Sequence, residues 1–140
     1  MIEKFEYCTF LNFMEKEIIE LNKKIEFLIK DDRTDESDLE KIKLNVFCIF
    51  KQVYESTYKR FCLSKDNLSS FFTNYKNFFE KIPQNWYESL EKAKKHKNYE
   101  KIFVEEIKIE TMLKIKNFFL NYIKGIEKIW LKNLWKFLNV

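Results

Sequence analysis

The first thirty residues carry apolar side chains in a repeat that alternates steps of four and three. This spacing predicts an amphipathic helix from about Glu3 to Lys30, because it places every repeat position on one helix face. The seam is sustained for three heptads, as in coiled coils, so it fits packing within the chain or against a second copy in a homodimer. Its positions are Tyr7, Leu11, Met14, Ile18, Leu21, Ile25 and Leu28.

A polar, acidic stretch from Asp31 to Glu36 follows and predicts a connection. After it, Ser37-Asp38-Leu39-Glu40 has the pattern of a capping box, in which the Ser37 hydroxyl accepts from the Glu40 amide. We therefore expect a second helix from Ser37 to about Leu63.

Three further helices are predicted in the rest of the chain. Polar residues 64–67 form a second break, with Asp66 or Asn67 as the expected cap of a helix that begins near Leu68. Pro83 ends that helix because proline cannot continue the backbone hydrogen bonds. A fourth helix is expected from Trp86 to about Lys95, and residues 97–98 form the corner before the last one.

The last helix, from about Tyr99, has one narrow polar stripe and is apolar around most of its circumference. Such a helix is expected to be long, central and largely buried. Gly125 marks a potential break, because glycine costs about 1 kcal/mol relative to alanine inside a helix. The polar stripe consists of Glu106, Glu110, Lys114, Asn117, Asn121, Lys124, Lys128 and Lys132.

Composition supports the same fold class. The 140 residues include one glycine and one proline. A sheet protein of this size needs several tight turns, and those turns favour glycine and proline. We therefore predict an all-α fold: a single domain over residues 1–140, built as a bundle of four or five helices with a long, largely buried C-terminal helix.

Charge is distributed unevenly along the chain. Residues 1–40 hold 12 acidic and 6 basic side chains, whereas residues 41–140 hold 10 acidic and 20 basic ones. Two dense groups stand out as candidate partner-binding sites. The acidic segment comprises Asp31, Asp32, Asp35, Glu36 and Asp38. The basic cluster comprises Lys92, Lys94, Lys95, His96 and Lys97.

The residue types needed for familiar catalytic or cofactor sites are scarce. One glycine cannot build a phosphate-binding loop, and one histidine cannot supply a pair of imidazole ligands. The three cysteines lack the short spacing of a zinc site, the Glu-x-x-His motif of di-iron bundles is missing, and the acidic segment lacks the turn glycine of a calcium loop. We expect no metal, no cofactor and no enzyme activity.

The leading hypothesis is a non-catalytic helical protein-binding module, a small cytoplasmic adaptor, regulator or inhibitor that occupies a partner's surface. The compartment is inferred from the odd number of cysteines and the lack of a signal peptide, and we expect the cysteines to be small core residues. The longest apolar run, residues 46–50, is far too short to span a membrane.

Two alternatives stay open. Aromatic residues near the basic cluster fit binding of single-stranded nucleic acid, although the shortage of arginine argues against it. The segment from Gly125 to Val140 resembles an amphipathic helix of a membrane-peripheral protein. Because its polar stripe continues smoothly from Glu106, we favour the interpretation that it is the end of the buried helix.

Overall fold

In the computed structural model, the backbone is described for residues 2–62 and 68–138 and the side chains for residues 6–61 and 70–128. This part of the chain is all-α, without a strand, which confirms the predicted fold class and the long last helix. The helices are α1 (Ile2–Lys30), α2 (Thr34–Cys62), α3 (Leu68–Lys81), α4 (Gln84–Lys95) and α5 (Tyr99–Leu138).

The heptad seam of α1 packs inside the chain, against α2. Met14, Ile25 and Leu28 are buried, and the other seam positions are half-buried. Lys24 of α1 pairs with Glu40 of α2, so the two helices run antiparallel from their shared corner. The seam is therefore used within one chain and gives no support for a homodimer.

Aromatic side chains from α1, α2, α3 and α5 form the core. Phe119 lies at its centre, fully buried, with ring centroids of neighbouring aromatic residues 4.9–5.8 Å away. Two buried phenols satisfy their hydroxyl groups on backbone oxygens: Tyr54 donates to Tyr7 at 2.9 Å and Tyr75 donates to Phe50 at 3.1 Å. Burial raises the pKa of both phenols far above the ordinary value, so they stay neutral donors.

The α1–α2 and α4–α5 corners share one backbone motif. At each corner a non-glycine residue adopts the left-handed conformation, Asp32 with φ 59° and Lys97 with φ 53°. The next amide bonds back across the corner, from Arg33 to the carbonyl of Leu28 and from Asn98 to that of Ala93. This is the Schellman arrangement that usually uses glycine. It explains how a chain with one glycine makes sharp helix reversals.

The predicted start of the second helix is wrong by three residues. α2 begins at Thr34, and the Ser37 hydroxyl donates to the Thr34 carbonyl at 2.7 Å instead of accepting the Glu40 amide. The left-handed residue Asp32 reverses the chain within residues 31–33, so no longer connection is needed. Most of the acidic segment therefore belongs to the first turns of α2.

The expectations for Gly125, for the cysteines and for the helix caps have different outcomes. α5 passes through Gly125 without a break, and the polar stripe on this helix is exposed from Glu106 to Lys128. Cys48 is exposed, so the expectation that the cysteines are core residues is wrong at that position. The caps proposed at Asp66 or Asn67 lie outside the described residues, as do the side chains of residues 129–140. In the part of the chain that the structure describes, no helix is both long enough and apolar enough to cross a membrane.

Candidate protein-binding surface

The α1–α2 and α4–α5 corners lie at the same end of the bundle. Contacts between α1 and α5 fix their antiparallel register: Phe13 stacks on Phe118 with centroids 3.5 Å apart, and Glu17 pairs with Lys114 at 3.4 Å. From that ion pair α1 continues for about 20 Å to its end, and α5 extends back for about 22 Å to its start, at 1.5 Å per residue. The acidic segment and the basic cluster, distant in sequence, thus occupy neighbouring corners. We call this end of the bundle, formed by residues 27–38 and 92–103, the corner face.

The acidic segment is fully on the surface and only partly neutralised. Arg33 bonds to Glu36 and lies 3.7 Å from Asp31. A side-chain hydrogen bond with Glu36 is the main cause that raises the pKa of Arg33 above its ordinary value. Asp32 and Asp35 form no ion pair within the described residues. We call these two carboxylates, which have no ion-pair partner among the described residues, the open charges of the acidic segment.

The basic cluster is also exposed at all five positions. Lys94 lies 3.8 Å from Glu91, whereas Lys92, Lys95 and Lys97 form no ion pair with any described residue. The backbone amide of His96 ends α4 by donating to the Lys92 carbonyl at 3.1 Å. Lysines at a helix C-terminus complement the helix dipole, which gives the cluster a structural role besides any binding role.

Exposed apolar side chains concentrate at the same two corners. Eight large apolar side chains are exposed among the residues whose side chains the structure describes, and half of them lie within about one turn of a corner. They are Phe27 (62% exposed), Ile29 (52%), Tyr99 (73%) and Phe103 (51%). The sequence pattern did not single them out, because Phe27 and Ile29 lie outside the heptad seam and neither Tyr99 nor Phe103 belongs to a charged group. Their position in the last or first turn beside a charged corner was the available signal.

An open groove of about 760 Å³ runs between α1, α2 and α5, from the Glu17–Lys114 ion pair to Phe27 near the corner face. Its deepest charged group is the Glu40 carboxylate, which accepts hydrogen bonds from Lys24 and Lys43, both at 3.1 Å. Burial opposes ionisation of this carboxyl group, but the two lysine contacts outweigh it and lower the pKa of Glu40. The complete lining is Glu17, Glu20, Leu21, Lys23, Lys24, Phe27, Glu40, Lys43, Phe47, Glu110, Thr111 and Lys114.

A second, smaller cavity of about 350 Å³ lies between α2 and α3. Its lining contains the cations Arg60 and Lys81 beside Phe61 and Phe78, and none of the described lining residues is a carboxylate. Each cation is within 6 Å of a ring centroid, Arg60 at 5.4 Å from Phe61 and Lys81 at 5.8 Å from Phe78. This combination of positive charge and aromatic surface is typical of sites for anions with planar rings.

The remaining candidate catalytic and metal-binding side chains of the described chain lie apart from one another. Among the described residues, no group of three or more histidine, cysteine, aspartate or glutamate side chains is placed to hold a metal ion. Glu105 is a buried carboxylate with one oxygen 3.3 Å from Lys108 and the other without a hydrogen-bond partner in the described structure. His96 is exposed at the α4–α5 corner, whereas Cys8 and Cys48 lie on α1 and α2.

Comparison of the chain with protein-family models, with curated proteins and with solved structures gives no match.

Proposed function

We propose that this chain is a non-catalytic protein-binding module of the cytoplasm, an adaptor, regulator or inhibitor that acts by occupying a partner's surface through the corner face. One observation carries the proposal: exposed aromatic and aliphatic side chains lie at the same end of the bundle as both charge groups. The Phe27 end of the groove also lies near this end of the bundle.

The residue types exposed on the corner face are those found in protein interfaces. Interfaces combine a desolvated apolar centre with a polar rim, and large aromatic residues commonly supply most of the binding energy. Phe27 and Phe103 can act as such anchors, while the surrounding Asp and Lys side chains fix orientation and speed association. An open groove beside the anchors offers room for a partner side chain or helix.

Site-specific photo-crosslinking tests the proposal with a matched control on the same helix. A photo-reactive phenylalanine analogue replaces Phe27 (62% exposed) in one purified variant and Ile19 in the other. Ile19 is similarly exposed (54%) but does not line the groove. Each variant is irradiated in extract from cells that naturally make the protein. We expect a discrete protein adduct from position 27 and none from position 19, and excess unmodified protein should suppress it. Equal labelling from both positions, or none from position 27, would refute the proposal.

Nucleic-acid binding is the second candidate, and the α2–α3 cavity is the observation that favours it. Its cations and aromatic rings resemble a short stretch of a strand-binding groove. Fluorescence anisotropy with labelled single and double strands over a salt series tests it. Submicromolar binding that weakens steeply with salt, and that is lost when Arg60 and Lys81 are both changed to Gln, would favour this function. Changing Lys92 and Lys95 to Gln tests the basic cluster in the same assay. Binding that survives this change but is lost in the Arg60 and Lys81 variant takes place at the cavity.

A further inference from the structure

We propose that the corner face binds the corner face of a second copy of this chain, forming a two-fold symmetric homodimer. This inference rests on the proposed protein-binding function and names its partner. The α1 heptad seam takes no part, because it packs against α2 within each chain.

The charge pattern of the corner face is self-complementary. In a two-fold interface every contact from one residue to another is repeated in reverse. A two-fold axis perpendicular to the line that joins the two corners sets each corner against the other corner of the second copy. Here the open carboxylates of Asp32 and Asp35 meet the open ammonium groups of Lys92, Lys95 and Lys97. A surface of one sign requires a partner of the opposite sign, whereas neighbouring patches of both signs match their own two-fold image.

The apolar side chains give this contact a dry centre. Phe27 and Ile29 end α1, and Tyr99 and Phe103 begin α5, so they lie beside the two charged corners. When two copies meet, these side chains leave water together while the charges stay at the rim, as in weak protein interfaces. The end of one bundle is a small area, so we expect a dissociation constant in the micromolar range or weaker.

Charge reversal tests the pairing directly. One variant carries Asp32→Lys and Asp35→Lys, a second carries Lys92→Glu and Lys95→Glu, and a third carries all four substitutions. Lysine is acceptable at position 32, because Lys97 adopts the same left-handed backbone conformation at the other corner. Sedimentation velocity over a concentration series measures self-association, and circular dichroism checks that each variant keeps its helix content.

The expected outcomes differ for each sample. Wild-type protein dimerises, and its dissociation constant rises severalfold as salt increases. Each two-site variant self-associates about tenfold or more weakly, because both symmetric contacts become repulsive. An equimolar mixture of the two variants forms a heterodimer, and the four-site variant regains self-association. Tyr99→Ser weakens the dimer, whereas Ile19→Ser, on the exposed face of α1 away from the corner, does not.

Two results would overturn the homodimer. The first is wild-type protein that stays monomeric up to roughly 500 µM, far above a micromolar dissociation constant. The second is charge-reversed variants that associate like wild type. If a charge-reversal variant unfolds, the salt series on wild-type protein and the comparison of Tyr99→Ser with Ile19→Ser still decide the question. The crosslinking experiment separates this inference from the proposed function. An adduct with another protein and no dimer leaves the function standing, whereas no adduct and no dimer ends both.

Discussion

Lys97 occupies a backbone conformation that suits glycine, so Lys97→Gly should stabilise the fold. Its φ of 53° lies in the left-handed region, which costs an L residue about 1–2 kcal/mol. Glycine removes this strain but adds about 0.4–1 kcal/mol of conformational entropy to the unfolded chain. The net expectation is an increase of roughly 0.5–1 kcal/mol in the free energy of unfolding.

Lys92→Gly is the matched control for this prediction. Lys92 is exposed in the last turn of α4, so the same substitution removes the same charge from the same corner. Inside a helix, however, glycine costs about 0.5–1 kcal/mol relative to lysine. The two variants should therefore change stability in opposite directions.

Urea unfolding followed by circular dichroism measures both effects at one low protein concentration, because dimerisation would add its own stabilisation. In thermal unfolding of the same samples, the expected change in Tm for each variant is about 2–4 °C. Destabilisation by Lys97→Gly, or equal effects of the two substitutions, would refute the assignment of a strained corner.

Three further predictions concern the core and the groove, each measured by the same unfolding assay. Phe119→Ala should lower the free energy of unfolding by about 3–5 kcal/mol, because it empties the centre of the aromatic core. Phe103→Ala, the control on the same helix, should lower it by less than about 1 kcal/mol. Similar losses in the two variants would contradict the described burial. Tyr75→Phe should cost about 1 kcal/mol through loss of the hydrogen bond to the Phe50 carbonyl, and an unchanged midpoint would argue against that bond. Glu40→Gln should lower stability by roughly 1 kcal/mol at neutral pH, since the two lysine contacts lose their charged acceptor. Because the folded pKa of Glu40 is lowered, this difference is present above the unfolded value of 4.5 and shrinks as pH falls through the folded pKa; a difference that grows in acid would contradict the pairing.

Most of the secondary structure followed from local pattern. The four-and-three spacing in α1, the break at Pro83 and the corner at residues 97–98 all matched the structure to within a few residues. These features depend on neighbouring side chains and on backbone geometry, so they can be found without knowing the fold. The start of α2 was misplaced because a side-chain motif at Ser37 suggested a cap, whereas the left-handed backbone of Asp32 had already turned the chain.

The candidate surface was only half visible in the sequence. Both charged groups were found from their composition, but their common position at one end depends on the antiparallel register of α1 and α5. Likewise, the position of Phe27 and Phe103 near a charged corner was the one sequence feature that separated them from buried phenylalanines such as Phe10, and their exposure depends on what packs beside them.

The sequence by itself determined that this chain forms a few long helices and which face of each is apolar. Helix formation and the spacing of apolar residues depend on near neighbours along the chain, and a chain with one glycine has little capacity for tight turns. Only the tertiary structure decided which helix covers each face, and therefore that the α1 seam is used within the chain while the ends of α1 and α5 stay uncovered. The physical reason is that burial depends on what packs against a side chain, and the axial register between helices is set by contacts distant in sequence.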